Sequence, residues 1–521
     1  MTSTLLLSLG LAVTAFGQKV ISNPLGACSA IATSFTYPNV NVNFTEFHTA
    51  GSNVVIASSS SGSCGTAQQA VTVDICRVRL SIATSAHSHV EVEAWLPTTN
   101  WTGRFLSTGN GGLGGCIQFG DIAYGNDFGF ATVGSNNGHD GSVGMPFYQN
   151  PDVVHDFASR AIVVETQVGQ ALVNQFYGQA QTTSIYLGCS TGGRQGFKMA
   201  QDFPTLFDGI VAGCPALDNN HLNAWSGRSY PILQSPTSPQ FVSSSLWALI
   251  WKDVMAQCDL IDGAADNILE DPSQCVYKPD DLKCAAGATD TSSCLTTAQY
   301  NAVVELLGPY MDTNKNTLIF PPPAPGTEKD SAGIYYTGNA FSYTQSWFRY
   351  AILEDPTWDP ITLNSTTVEI ADSINPFNVS TFNTDLSAFQ QAGGKILHYH
   401  GQSDPIISPL NSNRYYEAVK STMAMSNTQL DDFYRFFRVS GLGHCSGGPG
   451  AWNVGQGSGT AQDPQHDVLA RIISWVEGGA GPDTITGVGA GLTRNHCKYP
   501  LRNKYVGPGA LSDPTAWSCV A

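Results

Sequence analysis

Short apolar segments alternate with helical segments through the middle and late parts of the chain. Six segments have the length and composition of buried strands: residues 104–108, 128–133, 184–188, 209–213, 394–400 and 433–439. Apolar residues at helical spacing occupy residues 153–172, 192–201 and 468–475. Because strands that alternate with helices form a mostly parallel sheet, the pattern predicts an α/β fold.

This alternation stops for about 180 residues between the fourth and fifth strands. The interval is too long for one crossover connection, so we predict an inserted lid domain, residues 217–388, called the lid below. The main domain is then built from residues 18–216 and 389–521, after a signal peptide at residues 1–17.

The first residues are typical of an export signal. An apolar run from Leu5 to Phe16 ends in a small-x-small cleavage pattern before Gln18. Thirteen cysteines, which allow six pairs and one unpaired thiol, also fit a secreted chain. On a secreted chain four N-x-S/T sequons are candidate glycosylation sites: Asn43, Asn100, Asn364 and Asn378.

The charge balance excludes some classes of partner. Asp and Glu (41) exceed Lys and Arg (24), which leaves a net charge of −17. Nucleic-acid binding needs a basic surface, so no nucleic acid is expected as a partner. No segment after the signal reaches the roughly 18 uncharged apolar residues of a membrane span, and no membrane association is expected either.

A serine occupies the turn between the third strand and the helix that follows it. Gly188-Cys189-Ser190-Thr191-Gly192 matches G-x-S-x-G, and its small flanking residues permit a turn tight enough to expose the serine oxygen. The alternative is a glycine-rich turn with a helix-capping serine. The strand–turn–helix setting favours a nucleophile.

A nucleophilic serine needs a base and a carboxylate that orients the base. In hydrolases with this strand–turn–helix motif the chain order is Ser, Asp, His. Asp404 follows the fifth strand, and His444 follows the sixth in a glycine-rich loop. His400 is the nearest rival, but its place at a strand end favours packing or a structural hydrogen bond.

Cysteines adjoin both the serine and the histidine. A bond between Cys189 and Cys445 would set their Cα atoms about 5–6 Å apart. It would therefore hold the loops of Ser190 and His444 together. Closing a loop of that length (445 − 189 = 256) stabilises the fold by roughly 5 kcal/mol in the chain-entropy model.

These motifs resemble the fungal tannase and feruloyl esterase family. The resemblance rests on residues 188–196, Asp404 and His444-Cys445, with further likeness at residues 103–112 and 433–437, and it covers nearly the whole chain. It implies an α/β-hydrolase fold with a large inserted lid domain. The likeness is closest to feruloyl esterases that act on methyl hydroxycinnamates and chlorogenic acid.

The glycine run at residues 109–114 formally satisfies G-x-G-x-x-G. A dinucleotide site would need a helix to begin there, but the next residues are loop-like. In a hydrolase such a loop supplies backbone N–H groups to an oxyanion hole. That predicts Thr191 as one donor, and the resemblance implies Gly112 or its neighbour Gly111 as the other.

Five carboxylates crowd into the lid between Asp259 and Asp271. They indicate either a solvated acidic turn or a hard cation such as calcium, although the spacing is not that of an EF-hand. The resemblance implies structural calcium. Its implied ligands are the side chains of Asp259, Asp262 and Asp266 and the carbonyls of Ala264 and Ile268.

The resemblance also implies a disulfide pairing and leaves Cys214 as a free, buried thiol. The implied pairs are Cys28–Cys76, Cys64–Cys116, Cys189–Cys445, Cys258–Cys275, Cys284–Cys294 and Cys497–Cys519. A group of lid aromatics could hold an aromatic acyl group, although most are expected to form the core of the lid: Tyr335, Phe341, Tyr343, Trp347, Phe348 and Tyr350. His87 and His89, on a predicted strand, lack further metal ligands and are expected to pair at the surface.

The sequence thus predicts a secreted serine esterase. Ser190 attacks the ester carbonyl of a hydroxycinnamoyl group, His444 transfers the proton and Asp404 orients His444. The substrates would be small aromatic esters and feruloylated plant cell-wall polysaccharides. The open alternatives are a tannase that cleaves galloyl esters, a peptidase, and a non-catalytic protein that binds wall polysaccharide.

Overall fold

The computed structural model describes residues 19–56, 64–457 and 459–521. The predicted signal peptide lies outside the described residues. None of the helices described there is long and apolar enough to cross a membrane.

The strands and helices have the following bounds. The strands are β1 Val40–His48, β2 Asn53–Val55, β3 Gln68–Ala70, β4 Ile75–Ala83, β5 His89–Pro97, β6 Arg104–Thr108, β7 Phe130–Ser135, β8 Thr183–Cys189, β9 Gly209–Gly213, β10 Tyr310–Asp312, β11 Thr317–Phe320, β12 Lys395–Gly401, β13 Tyr434–Val439, β14 Thr484–Gly489, β15 Leu492–Cys497, β16 Arg502–Tyr505 and β17 Trp517–Val520. The α-helices are α1 Pro24–Ser34, α2 Phe119–Asp127, α3 Pro151–His155, α4 Ala161–Tyr177, α5 Thr191–Asp202, α6 Asn219–Gly227, α7 Ser229–Leu233, α8 Ser244–Cys258, α9 Thr297–Leu307, α10 Glu328–Ala332, α11 Ser342–Ser346, α12 Ser365–Ile374, α13 Ser387–Gln391, α14 Pro409–Thr422, α15 Asn427–Leu430 and α16 Val468–Val476. Two π-helical turns, Asp156–Arg160 and Trp347–Ile352, continue α3 and α11.

A nine-stranded sheet forms the centre of the fold, in the order β1-β4-β5-β7-β6-β8-β9-β12-β13. The six strands from β7 to β13 in that order run parallel to one another. They correspond to the six strands predicted from the sequence, so the α/β prediction is confirmed. The antiparallel strands β1, β4 and β5 extend the sheet at one edge.

Side chains alternate between the two faces of the sheet, as the pleat requires. Along β8, Ile185 and Leu187 belong to the same buried cluster as Ile472 of α16. Tyr186, between them, packs in the cluster on the other face, with Phe197 of α5. Both faces are therefore covered by helices, which explains why the parallel strands are apolar throughout.

Two sequence-based boundaries were wrong. The strand predicted at residues 128–133 begins at Phe130, because Gly129 has a left-handed φ of 74° and forms the turn after α2. His87 precedes β5 in a turn rather than lying on the strand. His89 is the first residue of β5, and its exposed ring lies 3.8 Å from Glu91, the surface pairing that was expected.

The predicted lid, residues 217–388, contains α6 to α12, the start of α13 and the small hairpin β10–β11. Its core is continuous with residues that precede β8, because Phe147 and Phe157 pack on Trp347 at ring-centroid distances of 6.1 and 5.9 Å. The Trp347 Nε1–H donates to Asn220 Oδ1 at 3.1 Å. This aromatic cluster fixes the lid against the main domain.

Trp347→Ala is expected to destabilise the fold by about 3–5 kcal/mol, because it leaves a cavity in this fully buried cluster. Val304→Ala, at a lid side chain that is 45% exposed, is the matched control and should cost less than about 0.5 kcal/mol. Urea unfolding of both variants measures the difference. Equal losses would contradict the packing role of Trp347.

Candidate active site

Ser190 lies at the turn between β8 and α5. Its φ of 63° and ψ of −122° are strained for a residue with a side chain, and this geometry lifts the hydroxyl out of the strand. The turn is tight: a Cβ on Gly188 would lie 2.6 Å from the Gly192 carbonyl carbon. The glycines of the motif are therefore required by the close approach of strand and helix.

His444 and Asp404 reach Ser190 from two neighbouring strands. Asp404 follows β12 and His444 follows β13, so both lie beside the carboxyl end of β8. His444 Nε2 lies 2.9 Å from Ser190 Oγ, and His444 Nδ1 lies 2.8 Å from Asp404 Oδ2. The three side chains thus form a continuous hydrogen-bonded row.

Asp404 is only 2% exposed, yet its carboxylate is surrounded by donors. Oδ1 accepts from the backbone N–H groups of Ile406 and Ile407 at 2.8 and 3.0 Å. Oδ2 accepts from His444 and also from His400 Nε2 at 3.2 Å. Burial alone would raise the pKa of Asp404, but the charge of His444 and the hydrogen bonds of His400 and His444 lower it below its usual value. The carboxylate is therefore ionised at neutral pH.

A disulfide joins Cys189 to Cys445, with Cα atoms 5.9 Å apart. It connects the residue before Ser190 to the residue after His444. Cys445 has a left-handed φ of 63°, so the bond also fixes an unusual backbone turn. The serine and histidine loops are consequently tied together covalently at the site itself.

The glycine run at residues 109–114 forms a loop beside Ser190. No helix begins at the run, since α2 starts at Phe119, and this disagrees with a dinucleotide site. Thr191 Oγ1 donates to the Gly112 carbonyl at 2.6 Å, which attaches the loop to the start of α5. Gly112 has a φ of 61°, and a Cβ there would lie 2.5 Å from the Tyr343 hydroxyl.

A buried amide network supports this loop from behind. Gln195 Oε1 accepts from the Asn110 backbone N–H at 3.0 Å, and Gln195 Nε2 donates to Asn110 Oδ1 and Asn137 Oδ1 at 3.0 and 3.1 Å. All three side chains are at most 3% exposed. Gln195 stands in the motif region at residues 188–196, but its role depends on contacts that sequence spacing does not reveal.

A pocket opens beside Ser190 between the main domain and the lid. Its lining combines apolar and polar side chains: Gly112, Leu113, Ser190, Thr191, Ala216, Asn219, Leu222, Asn223, Ser226, Tyr335, Phe341, Tyr343, Ile406 and Ile407. Of the lid aromatics singled out above, Tyr335, Phe341 and Tyr343 line the pocket. Trp347 and Phe348 are fully buried in the core of the lid.

One polar atom in the pocket wall has no hydrogen-bond partner among the described residues. Asn219 is 4% exposed, and its Nδ2 donates no hydrogen bond among the described residues. A buried donor without an acceptor is costly, so this group is suited to an oxygen atom of a ligand.

The acidic loop of the lid lies apart from this pocket. Asp259 Oδ1 and Asp266 Oδ2 are buried and accept no hydrogen bond from the described residues, although Asp266 Oδ2 lies 3.7 Å from the Arg494 guanidinium. Burial, reinforced by the charges of Asp266 and Asp259, raises the pKa of Asp262 to about 6. Buried oxygens without donors fit a hard cation in chemistry.

The carboxylates of the loop are not arranged as in a cation site with all its ligands in place. The carboxylate oxygens of Asp259, Asp262 and Asp266 do not all lie within 4.8 Å of one another in the described structure. Asp262 instead accepts from the backbone N–H groups of Ala264 and Glu270 at 3.0 and 3.1 Å.

The described residues contain six disulfides, and they join the same cysteines that the resemblance implies: Cys28–Cys76, Cys64–Cys116, Cys189–Cys445, Cys258–Cys275, Cys284–Cys294 and Cys497–Cys519. Cys214 is free and fully buried, and burial raises the pKa of its thiol. The prediction of a free, buried thiol at Cys214 is confirmed, but sequence reasoning did not reveal its neighbours. Its sulfur lies within 4.8 Å of both sulfurs of the Cys189–Cys445 bond and, in a second group, of Asp404 and His400.

Comparisons with known proteins by sequence and by structure relate this chain to the same family. The family model described as tannase and feruloyl esterase matches residues 76–520. A probable feruloyl esterase B-2 of Aspergillus terreus is 46% identical over 503 residues, which are 95% of this chain and 95% of that protein.

Solved structures agree with this relationship. The crystal structure of feruloyl esterase B from Aspergillus oryzae matches with a TM-score of 0.92 and 42% identity, over 95% of this chain and all of that one. Tannin acyl hydrolase from Aspergillus niger shares the fold, with a TM-score of 0.75 and 22% identity over 95% and 94% of the two chains. The predicted α/β-hydrolase fold is confirmed, and the protein is an ester hydrolase that belongs to the tannase and feruloyl esterase family.

Proposed function

We propose that the protein is a feruloyl esterase that uses Ser190, His444 and Asp404 as a catalytic triad. The observation that carries the proposal is the row of hydrogen bonds of 2.9 and 2.8 Å from Ser190 through His444 to Asp404. The family relationship and the strained turn at Ser190 also support this assignment.

The proposed mechanism follows from this geometry. His444 removes the proton as Ser190 Oγ attacks the ester carbonyl, and the ionised Asp404 stabilises the imidazolium. His444 then protonates the departing alcohol, and water hydrolyses the acyl-enzyme by the reverse sequence. In this scheme Asp404 keeps its charge throughout, in agreement with its lowered pKa.

The oxyanion hole is proposed to consist of the backbone N–H groups of Thr191 and Gly112. Thr191 is the first residue of α5, where an N–H has no acceptor within its own helix. Of the two glycines considered above, Gly112 lines the pocket with Ser190, which favours it over Gly111. The Thr191–Gly112 hydrogen bond keeps the two donors close to each other.

The substrate class is proposed to be hydroxycinnamate esters, of feruloyl, caffeoyl and p-coumaroyl type. Apolar side chains such as Leu222, Phe341 and Ile407 suit an aromatic acyl group, and Asn219 Nδ2 can donate to a ring oxygen. Relatives named feruloyl esterases support this choice. Chlorogenic acid and feruloylated plant cell-wall polysaccharides are the proposed sources of such esters.

Export is proposed on the basis of the signal at residues 1–17 and the six disulfides, which fit an extracellular enzyme. Among the sequons, Asn43, Asn364 and Asn378 are exposed, while Asn100 is half-buried. Glycans are therefore expected first at the three exposed positions.

A calcium ion is proposed in the acidic loop, held by Asp259, Asp262 and Asp266 with the carbonyls of Ala264 and Ile268. Its role is structural, since a cation there neutralises crowded carboxylates in a loop closed by the Cys258–Cys275 disulfide. Binding would draw the carboxylate oxygens closer together than in the described structure.

Ser190→Ala is expected to lower kcat on methyl ferulate at least about a thousandfold, because the nucleophile is removed. Ser446→Ala, at an exposed serine in the same loop as His444, should retain wild-type activity. Steady-state hydrolysis measures both. Residual activity within tenfold of wild type in Ser190→Ala would reject the triad.

An ester panel separates feruloyl esterase from tannase. We expect kcat/KM for methyl ferulate and chlorogenic acid to exceed that for methyl gallate at least tenfold, since each buried hydroxyl of a galloyl ring needs its own partner. Ser190→Ala corrects for background hydrolysis. A preference for methyl gallate would instead favour the tannase alternative.

Calcium is expected to raise the free energy of unfolding by about 3 kcal/mol when its concentration is 100-fold above its Kd. Without the ion, a raised folded-state pKa of about 6 at Asp262 means that stability falls as pH rises from about 4 through 6. The gain from calcium should therefore be larger at pH 7 than at pH 5. Thermal unfolding with EDTA or added calcium measures it. Asp262→Asn should lose the response and the exposed Asp290→Asn should keep it.

A further inference from the structure

A chain of buried hydrogen bonds leads away from the carboxylate of Asp404. His400 Nε2 lies 3.2 Å from Asp404 Oδ2, and His400 Nδ1 lies 2.7 Å from Ser412 Oγ. The same hydroxyl lies 2.9 Å from His398 Nε2, and His398 Nδ1 lies 2.9 Å from the Tyr434 hydroxyl. None of the five side chains is more than 2% exposed.

The direction of the chain is set at the Asp404 end. His400 Nε2 faces two groups that only accept, the Asp404 carboxylate and the Ile407 carbonyl at 3.1 Å, so Nε2 must carry the proton. In the form with one proton on each imidazole, His400 Nδ1 accepts from the Ser412 hydroxyl. Ser412 has no second proton, so it accepts from His398 Nε2–H.

The far end of the chain agrees with this direction. Burial lowers the pKa of His398 well below its usual value, which keeps the ring neutral and leaves Nδ1 as an acceptor. Burial also raises the pKa of Tyr434, so its hydroxyl keeps the proton that it donates to His398. In that form every donor in the chain points towards Asp404, and His400 Nε2–H is the donor that faces the carboxylate.

We propose that His400 and Ser412 are positioning residues for the triad. They hold a donor against Asp404 Oδ2 so that this oxygen stays fixed opposite His444. The inference rests on the proposed function, in which Asp404 orients His444. It goes further in assigning catalytic consequence to groups that do not touch the substrate.

Other groups face Asp404, and they do not replace this contact. The Cys214 thiol approaches from the segment after β9, and His444 from the loop after β13. Tyr335 comes from the lid, but its hydroxyl donates to the Ile406 carbonyl at 2.6 Å rather than to the carboxylate. The Cys214 thiol also makes a side-chain hydrogen-bond contact with Asp404. His400 is the neighbour whose ring shares Oδ2 with His444.

The test compares three variants at increasing distance from Asp404. His400→Phe removes the donor, and we expect kcat on methyl ferulate to fall about tenfold or more, as for loss of a hydrogen bond to a charged group. The acid limb of the kcat/KM profile should move to higher pH by about half a unit, because a carboxylate with one donor fewer holds the His444 imidazolium more tightly. Ser412→Ala should give a smaller shift in the same direction, and Tyr434→Phe the smallest.

A matched control separates positioning from stability. Ser440 Oγ makes a comparable buried contact with His496 Nδ1 at 3.2 Å, outside the chain that leads to Asp404. Ser440→Ala should lower the melting temperature about as much as Ser412→Ala but leave the pH profile unchanged. In an Asp404→Asn background, His400→Phe should cause less than about a twofold further loss of kcat, because the two act through one contact.

The outcomes are distinct. A graded shift of the acid limb, largest in His400→Phe and absent in Ser440→Ala, supports the proposal. If His400→Phe does not fold, Ser412→Ala decides the matter alone, since it removes a single atom. Profiles that coincide with wild type in both variants would overturn the positioning role while leaving the triad intact. Activity in Ser190→Ala would instead overturn the triad itself.

Discussion

The parallel alignment of neighbouring strands is the constraint on which the site depends. Because β8, β12 and β13 run in one direction in one sheet, the residues that follow them lie together at the carboxyl ends of the strands. Ser190 is more than 200 residues away in sequence from Asp404 and His444, and the shared position of the strand ends brings the three side chains within hydrogen-bond distance. The lid is inserted between β9 and β12, so it lies beside those strand ends without interrupting the strands.

Buried polar groups that are held by hydrogen bonds are the second feature on which the site depends. A carboxylate as deeply buried as Asp404 would take up a proton in an apolar setting, and it stays ionised because backbone and imidazole donors surround it. The amide network around Gln195 likewise provides buried hydrogen-bond partners for the loop at Gly112. In both places a group near Ser190 is fixed by partners that never reach the pocket. Rigidity at the site is thus supplied from the interior of the main domain.

Much of this could be predicted from the sequence, for identifiable reasons. Parallel strands buried on both faces read as short apolar runs, and all six were recognisable, whereas β1 and β4, at the edge of the sheet, carry no such continuous run. The motif at Ser190 and the glycines near His444 reveal backbone geometry directly. His400 gave no comparable signal, since its partners Asp404 and Ser412 depend on side-chain packing. The pocket wall likewise draws on α6, which lies in the lid, and spacing along the chain does not show which lid residues turn towards Ser190.

The free thiol of Cys214 has a consequence for the chemistry of the interior. Its sulfur lies within 4.8 Å of both sulfurs of the Cys189–Cys445 disulfide. Exchange requires a thiolate, and burial raises the pKa of Cys214, so in the folded protein the sulfur remains protonated and unreactive. Three cysteine sulfurs thus lie together, and in the described structure Cys214 is the one that is left out of the bond. The same packing that excludes water from the sheet therefore protects the covalent link beside Ser190 from its nearest potential nucleophile.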